Sequence, residues 1–157
     1  MNHGIVYWIT GTNEDKTSSL ACNLHQTVDQ SIVIDYDYVK YGLCIDVKGD
    51  EGHKEIIRRI SWIGRMLYEK GMAVIVCTST LPACCRRDMR LVIPEKSFVE
   101  IHLEDPTEEN HVADMETPMS LDMKFNMSEV SMDKMLVEIL RKTNKKFGDT
   151  YKIIMAG

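Results

Sequence analysis

Residues 4–18, GIVYWITGTNEDKTS, constrain the fold more than any other stretch of the chain. An apolar, β-branched run ends on Gly11, and Lys16 and Thr17 then open a helical segment. A buried strand, a glycine turn and a helix in that order outline a phosphate-binding loop, whose full pattern is G-x-x-x-x-G-K-[ST]. The stretch departs from that pattern. Only Thr12, Asn13 and Glu14 separate Gly11 from Asp15, which stands where the second glycine belongs. The loop is one residue short and carries two acids where phosphate would sit.

Alternation of strand and helix continues along the chain. Residues 5–10 and 31–35 (SIVID) read as buried strands, and residues 17–26 as a short helix with Leu20, Ala21 and Leu24 inward. Residues 51–70 place Ile56, Ile57, Ile60, Ile63 and Leu67 at helical spacing, with Gly71 as the stop. Strands follow at 73–77 (AVIVC) and 97–103 (SFVEIHL), separated by a basic helix over 83–93. In that helix Arg86 and Arg87 read as a solvated face. Leu121, Met123, Phe125 and Met127 alternate with polar residues, a period-2 strand. Ser131 then caps a helix through about residue 146. Continuously apolar strands separated by helices mean a parallel sheet covered on both faces. The expected fold class is three-layer α/β/α, with a mainly parallel five-stranded sheet and a single domain over 1–157.

Composition excludes several functions. A net charge of −5 argues against a general binder of nucleic acid or of anionic membranes. No apolar run reaches the length of a membrane span, and no signal peptide is expected. Five cysteines, Cys22, Cys44, Cys77, Cys84 and Cys85, without a C-x-x-C pair read as reduced cytoplasmic thiols. Adjacent Cys84 and Cys85 leave a metal or redox reading open. Methionines at 115, 119, 123 and 127 suggest a helical stripe or a soft-metal site. Pro118 interrupts that stripe, and the alternation from Leu121 favours packing in a strand.

Two readings of the loop stand at this point. In an intact loop, backbone N–H groups cradle the β-phosphate, lysine reaches the β/γ oxygens and the Ser/Thr hydroxyl holds magnesium. Lys16 and Thr17 suit those roles. Glu14 and Asp15 oppose them, since a unit charge ~4 Å from a phosphate oxygen repels by up to ~4 kcal/mol at an effective dielectric of ~20. The other reading is a plain β-turn-α connection with a capping acid and a solvated lysine.

Residues 35–46, DYDYVKYGLCID, followed by EIIRRI at 55–60, resemble the D-G-D-N-V-R-x-G-L-N-x-D … E-N-I-R-R-I segment of adenylylsulfate kinases. GIVYWITG, EKGMAVIV and FVEIHLEDP resemble further segments of that family in the same order. The resemblance implies a phosphate-loop kinase fold and transfer of the γ-phosphoryl of ATP to the 3′-hydroxyl of adenylylsulfate or another small acceptor. It implies ATP and magnesium as cofactors. Gly11, Asn13, Lys16 and Thr17 then contact nucleotide, with Thr17 and Asp37 at magnesium. Lys16 and Asp37 are the catalytic pair, and Asp35, Lys40 and Arg59 bind the acceptor. Expected partners are a small-molecule nucleotide and a second copy of the chain in a homodimer.

Departures from the family pattern accompany the likeness. Lys40 replaces an acceptor-binding arginine and loses its bidentate fork. His53 and Ile56 replace an arginine and an asparagine, and no phenylalanine lies near Lys48 and Gly49 to stack on adenine. Ser79 to Ala83 (STLPA) lacks the arginine of the family's I-S-P-Y-R. The family's basic lid is replaced over 107–118 by TEENHVADMETP, which has no arginine or lysine. The expectation is an activity weakened or lost, with a non-catalytic nucleotide-binding or scaffold domain as the alternative. Asp37 also reads as a helix N-cap.

Overall fold

A computed structural model describes residues 4–49, 51–79, 83–107 and 122–147. Five strands form one sheet in the order β2-β3-β1-β4-β5: Ile5–Gly11 (β1), Ser31–Asp35 (β2), Ala73–Ser79 (β3), Phe98–Glu104 (β4) and Met123–Asn126 (β5). Every pairing is parallel. β1 is the middle strand, in register from Ile5 opposite Ala73 to Gly11 opposite Ser79.

Alternation along β1 sorts its side chains between two cores. Ile5, Tyr7 and Ile9 pack with Leu20, Ala21 and Leu24 of α1 (Glu14–Thr27) and with Met135 and Ile139 of α5 (Met132–Phe147). Val6 and Trp8 face the other way, against Ile56, Ile57 and Ile60 of α3 (Gly52–Tyr68) and Met89 of α4 (Ala83–Val92). The sheet is therefore covered on both faces, which is why β1 and β3 inside it are buried runs rather than alternating ones, whereas edge strand β5 alternates. A short helix α2 (Tyr36–Tyr38) runs from β2 into a π-helical turn, Val39–Leu43. The hydrophobic spacing of 51–70 produces α3, and Gly71 just beyond it takes φ +84, a left-handed position open to glycine.

Three differences from expectation bear on function. Asn13, not an acid, caps α1: its side-chain Oδ1 accepts from the Lys16 N–H at 3.1 Å. The helix thus begins at Glu14, three residues earlier than residue 17, because the cap and two first-turn acids favour its N-terminus. Only Thr12 and Asn13 connect β1 to α1. Asp35, not Asp37, caps α2, accepting from the N–H groups of Asp37 and Tyr38 at 2.9 and 3.3 Å. Arg86 is buried rather than solvated, beside the buried Glu100 of β4, while Arg87 is exposed as expected. Met123 lies in the core and Met127 packs against it, whereas Met115 and Met119 fall outside the described residues.

Candidate functional site

The C-terminal ends of β1, β2 and β3 converge with the start of α1, the crevice where parallel α/β sheets bind ligands. Glu14, Thr17, Ser18, Asp35, Tyr36, Asp37, Cys77 and Thr78 line a cleft there of about 30 Å³, room for about one water. Gly11 is required by close approach. A Cβ on it would stand 2.8 Å from the Leu103 carbonyl oxygen and 2.8 Å from the Thr17 methyl. Thr12 Oγ1 is buried and has no hydrogen-bond partner among the described residues.

Thr17 is buried and its hydroxyl donates to the Glu14 carbonyl at 2.8 Å. The oxygen keeps its acceptor lone pairs. The Lys16 ammonium sits 2.8 Å from Oδ2 of Asp105, just beyond β4. Oδ1 of that carboxylate accepts from the N–H and hydroxyl of Thr107 at 3.0 and 2.6 Å. Lys16 first, and Thr107 after it, hold the Asp105 carboxyl well below the usual carboxylate range. Nothing in the sequence reading marked Asp105. The available signal was an acid at the end of FVEIHLED, a strand adjacent to the one that enters the loop.

Asp35 is bound into the fold. Besides capping α2, its Oδ2 accepts from the Cys77 thiol at 3.3 Å. Burial and then Asp35 push that thiol up to about 12. Asp37 is exposed at the cleft. Between the two acids, Tyr36 is buried, hydrogen-bonds His53 through its hydroxyl and stacks on that ring at 5.8 Å. Burial, then Asp37, pushes the phenol up to about 12.

The two other basic residues expected at the site, Lys40 and Arg59, are engaged elsewhere. Lys40 lies over the Tyr41 ring at 5.1 Å. Arg59 forks onto Asp46 at 2.8 and 2.7 Å, and also donates to Glu55 and to the Leu43 carbonyl. It fastens the loop after the π-helical turn to α3. The structure therefore places Gly11, Lys16, Thr17, Asp35 and Asp37 along the C-terminal edge of the sheet, at the ends of β1 and β2 and in the helices that follow them, with Asn13 present as a helix cap. It does not bring Arg59 into that cleft. Residues 80–82 of the STLPA segment, and all of the 107–118 lid segment but Thr107, lie outside the described residues.

An all-parallel sheet with a lysine and a threonine at the first turn of the helix after its central strand defines a phosphate-loop kinase fold. The adenylylsulphate kinase family model matches residues 3–121, and the chain belongs to that family. The adenylyl-sulfate kinase of Erwinia tasmaniensis is 30% identical over 110 residues, covering 67% of this chain and 55% of that protein. A chloroplastic adenylyl-sulfate kinase of Arabidopsis thaliana is 32% identical over 111 residues, 66% of this chain and 39% of that one. The chain thus spans about half or less of the length of these relatives. Mycobacterium tuberculosis APS kinase, solved in complex with AMPPNP and APS, superposes with a TM-score of 0.76 at 20% identity. That match covers 90% of this chain and 98% of the other, and it is a likeness of fold.

Proposed function

We propose that the chain binds magnesium–ATP at the β1–α1 loop and is a slow phosphotransferase of adenylylsulfate-kinase type. The observation that carries the reading is the placement of Lys16 and Thr17 in the first turn of α1 beside the glycine turn, with a buried Thr12 hydroxyl, unpartnered among the described residues, in the connection that precedes them. These donors fit a phosphate group. Bound nucleotide would supply the transferable γ-phosphoryl and, with magnesium, the charge neutralisation that transfer needs.

In this reading Lys16 holds β/γ oxygens and Thr17 offers its hydroxyl oxygen to the metal. Asp37, exposed at the cleft, orients the acceptor hydroxyl and takes its proton. Lys40 offers charge to the acceptor after leaving Tyr41. Asp35 acts by shaping the turn that presents Asp37, and Arg59 by fixing the segment that follows. Turnover with adenylylsulfate is very low. Lys40, His53 and Ile56 stand where the family has two arginines and an asparagine, and each lost charged hydrogen bond is worth ~1.5–3 kcal/mol. A wholly non-catalytic nucleotide-binding or scaffold domain is the second reading, favoured by the occupation of Lys16 by Asp105.

A role in sulfate assimilation and a cytoplasmic site belong to the same reading; five unbridged thiols support the compartment. Among the described residues no helix is long and apolar enough to cross a membrane. A homodimer is supported by the exposed Tyr38, Tyr41, Leu43 and Ile45 beside edge strand β2, and light scattering checks it. Calorimetric titration with magnesium–ATP and magnesium–ADP tests nucleotide binding. A coupled assay with adenylylsulfate tests transfer. Robust turnover abolished by both Lys16→Ala and Asp37→Ala would replace the slow enzyme by a competent one.

A further inference from the structure

Both the backbone N–H and the ammonium of Lys16 already have an acceptor inside the chain. Its backbone N–H goes to Asn13 Oδ1 at 3.1 Å, and its ammonium to Asp105 Oδ2 at 2.8 Å. These are the two groups that a phosphate-loop lysine turns toward nucleotide oxygens. The carboxylate is no floppy surface partner. The Asp105 side chain is 5% exposed, and Thr107 fixes its other oxygen with two hydrogen bonds. The Lys16 side chain is 41% exposed, so ligand and reagent can reach it. Position brings the acid there: Leu103 of β4 lies opposite Gly11, and Asp105 follows it past the strand end, alongside the loop.

We propose that Asp105 is an internal competitor for the nucleotide lysine: its carboxylate occupies Lys16 in the free protein, and a polyphosphate must displace it to bind. A carboxylate oxygen accepts from an ammonium as a phosphate oxygen does, with the same charge-assisted geometry. Once displaced, the fixed carboxylate stays beside the loop and repels bare phosphate. Entry therefore favours a polyphosphate that arrives with its charge partly neutralised by a divalent cation. The proposal rests on Lys16 being the nucleotide lysine, and it adds a built-in threshold to that site.

The test compares the full chain with Asp105→Asn, which keeps shape and removes charge, and with Thr107→Val, which loosens the carboxylate without deleting it. Two readouts are taken. Acetylation of Lys16 by acetic anhydride, followed by peptide mass spectrometry, reports the free lysine without any nucleotide. Calorimetry with ATP and magnesium reports binding. In Asp105→Asn, Lys16 should acetylate roughly two- to fivefold faster, the range of a partly exposed ion pair, and magnesium–ATP should bind tighter by a similar factor. Thr107→Val should fall between. Unchanged acetylation would show that the pair does not hold Lys16, and would overturn the proposal. Faster acetylation with equal or weaker ATP binding would overturn it too, making Asp105 neutral or a helper. If acetylation rises and no protein binds ATP, the nucleotide site itself falls and the competitor with it. Equal binding by all three removes only the competitor.

Discussion

At the scale of single residues, Asp15 has two opposed effects. It is exposed in the first turn of α1, where its charge suits the helix dipole, yet in the proposed nucleotide site that charge would oppose phosphate. Asp15→Gly should therefore tighten magnesium–ATP binding while lowering the melting temperature, since glycine in a helix costs about 0.8–1 kcal/mol relative to alanine. The affinity gain should be larger at low salt, because partly exposed charges are screened. Titration of both proteins at two ionic strengths checks this, and tighter binding by the native chain would sink it. Gly11 offers a sharper outcome. A methyl there meets backbone oxygen on β4 at 2.8 Å, which cannot rotate away as a flexible side chain could. Gly11→Ala should destabilise by ~1–3 kcal/mol in urea melts. No change in the midpoint would mean that β1 and β4 separate more easily than their register implies.

At the scale of elements, β4 and α4 are joined by charge inside an apolar setting. Glu100 is 1% exposed and sits 2.7 Å from Arg90 and 3.8 Å from Arg86. Removing one partner of a buried ion pair leaves the other uncompensated, at a cost on the order of 3–5 kcal/mol. Glu100→Ala should lose about that much in denaturant unfolding, and a loss within error of a surface substitution would refute the account. The strand–helix order was legible because β1 to β4 are short, mostly apolar runs, β5 alternates with period 2 and α3 repeats isoleucine at helical spacing. Arg86 was not legible in that way, since basic residues on a helix look solvated until their partner is known. The signal was Glu100, an acid inside the apolar run SFVEIHL. The loop was half legible. Gly11, Lys16 and Thr17 stand out by spacing, but the choice of Asn13 as cap depends on backbone geometry that neighbouring Glu14 and Asp15 disguise. Asp105 depends on strand order, and order in a sheet is long-range information.

At the scale of the whole molecule, buried acids weaken the fold at alkaline pH. Cys77 is pushed up from 9.0 to about 12, Tyr36 from 10.0 to about 12 and Cys85 from 9.0 to about 11, in each case first by burial. Folded protein keeps these protons where unfolded chain has lost them, so stability falls as pH rises from about 9 toward 12. The melting temperature should decline through that window, and Tyr36→Phe should flatten part of the decline. A profile unchanged by that substitution would assign the decline to other groups. The central position of β1 has a consequence in time as well as in space. β1 precedes both of its partners in the chain: it pairs with β3 and β4 on its two sides and not with β2, the strand that follows it in sequence. Its first lateral partner begins at Ala73 and its second at Phe98. Until both have been synthesised, β1, which is buried along its whole length in the fold, has open edges, and such long-range pairings form slowly. Nascent chains stalled before residue 98 should therefore be protease-sensitive throughout β1 and bound by chaperones, and protection should appear abruptly once β4 has emerged.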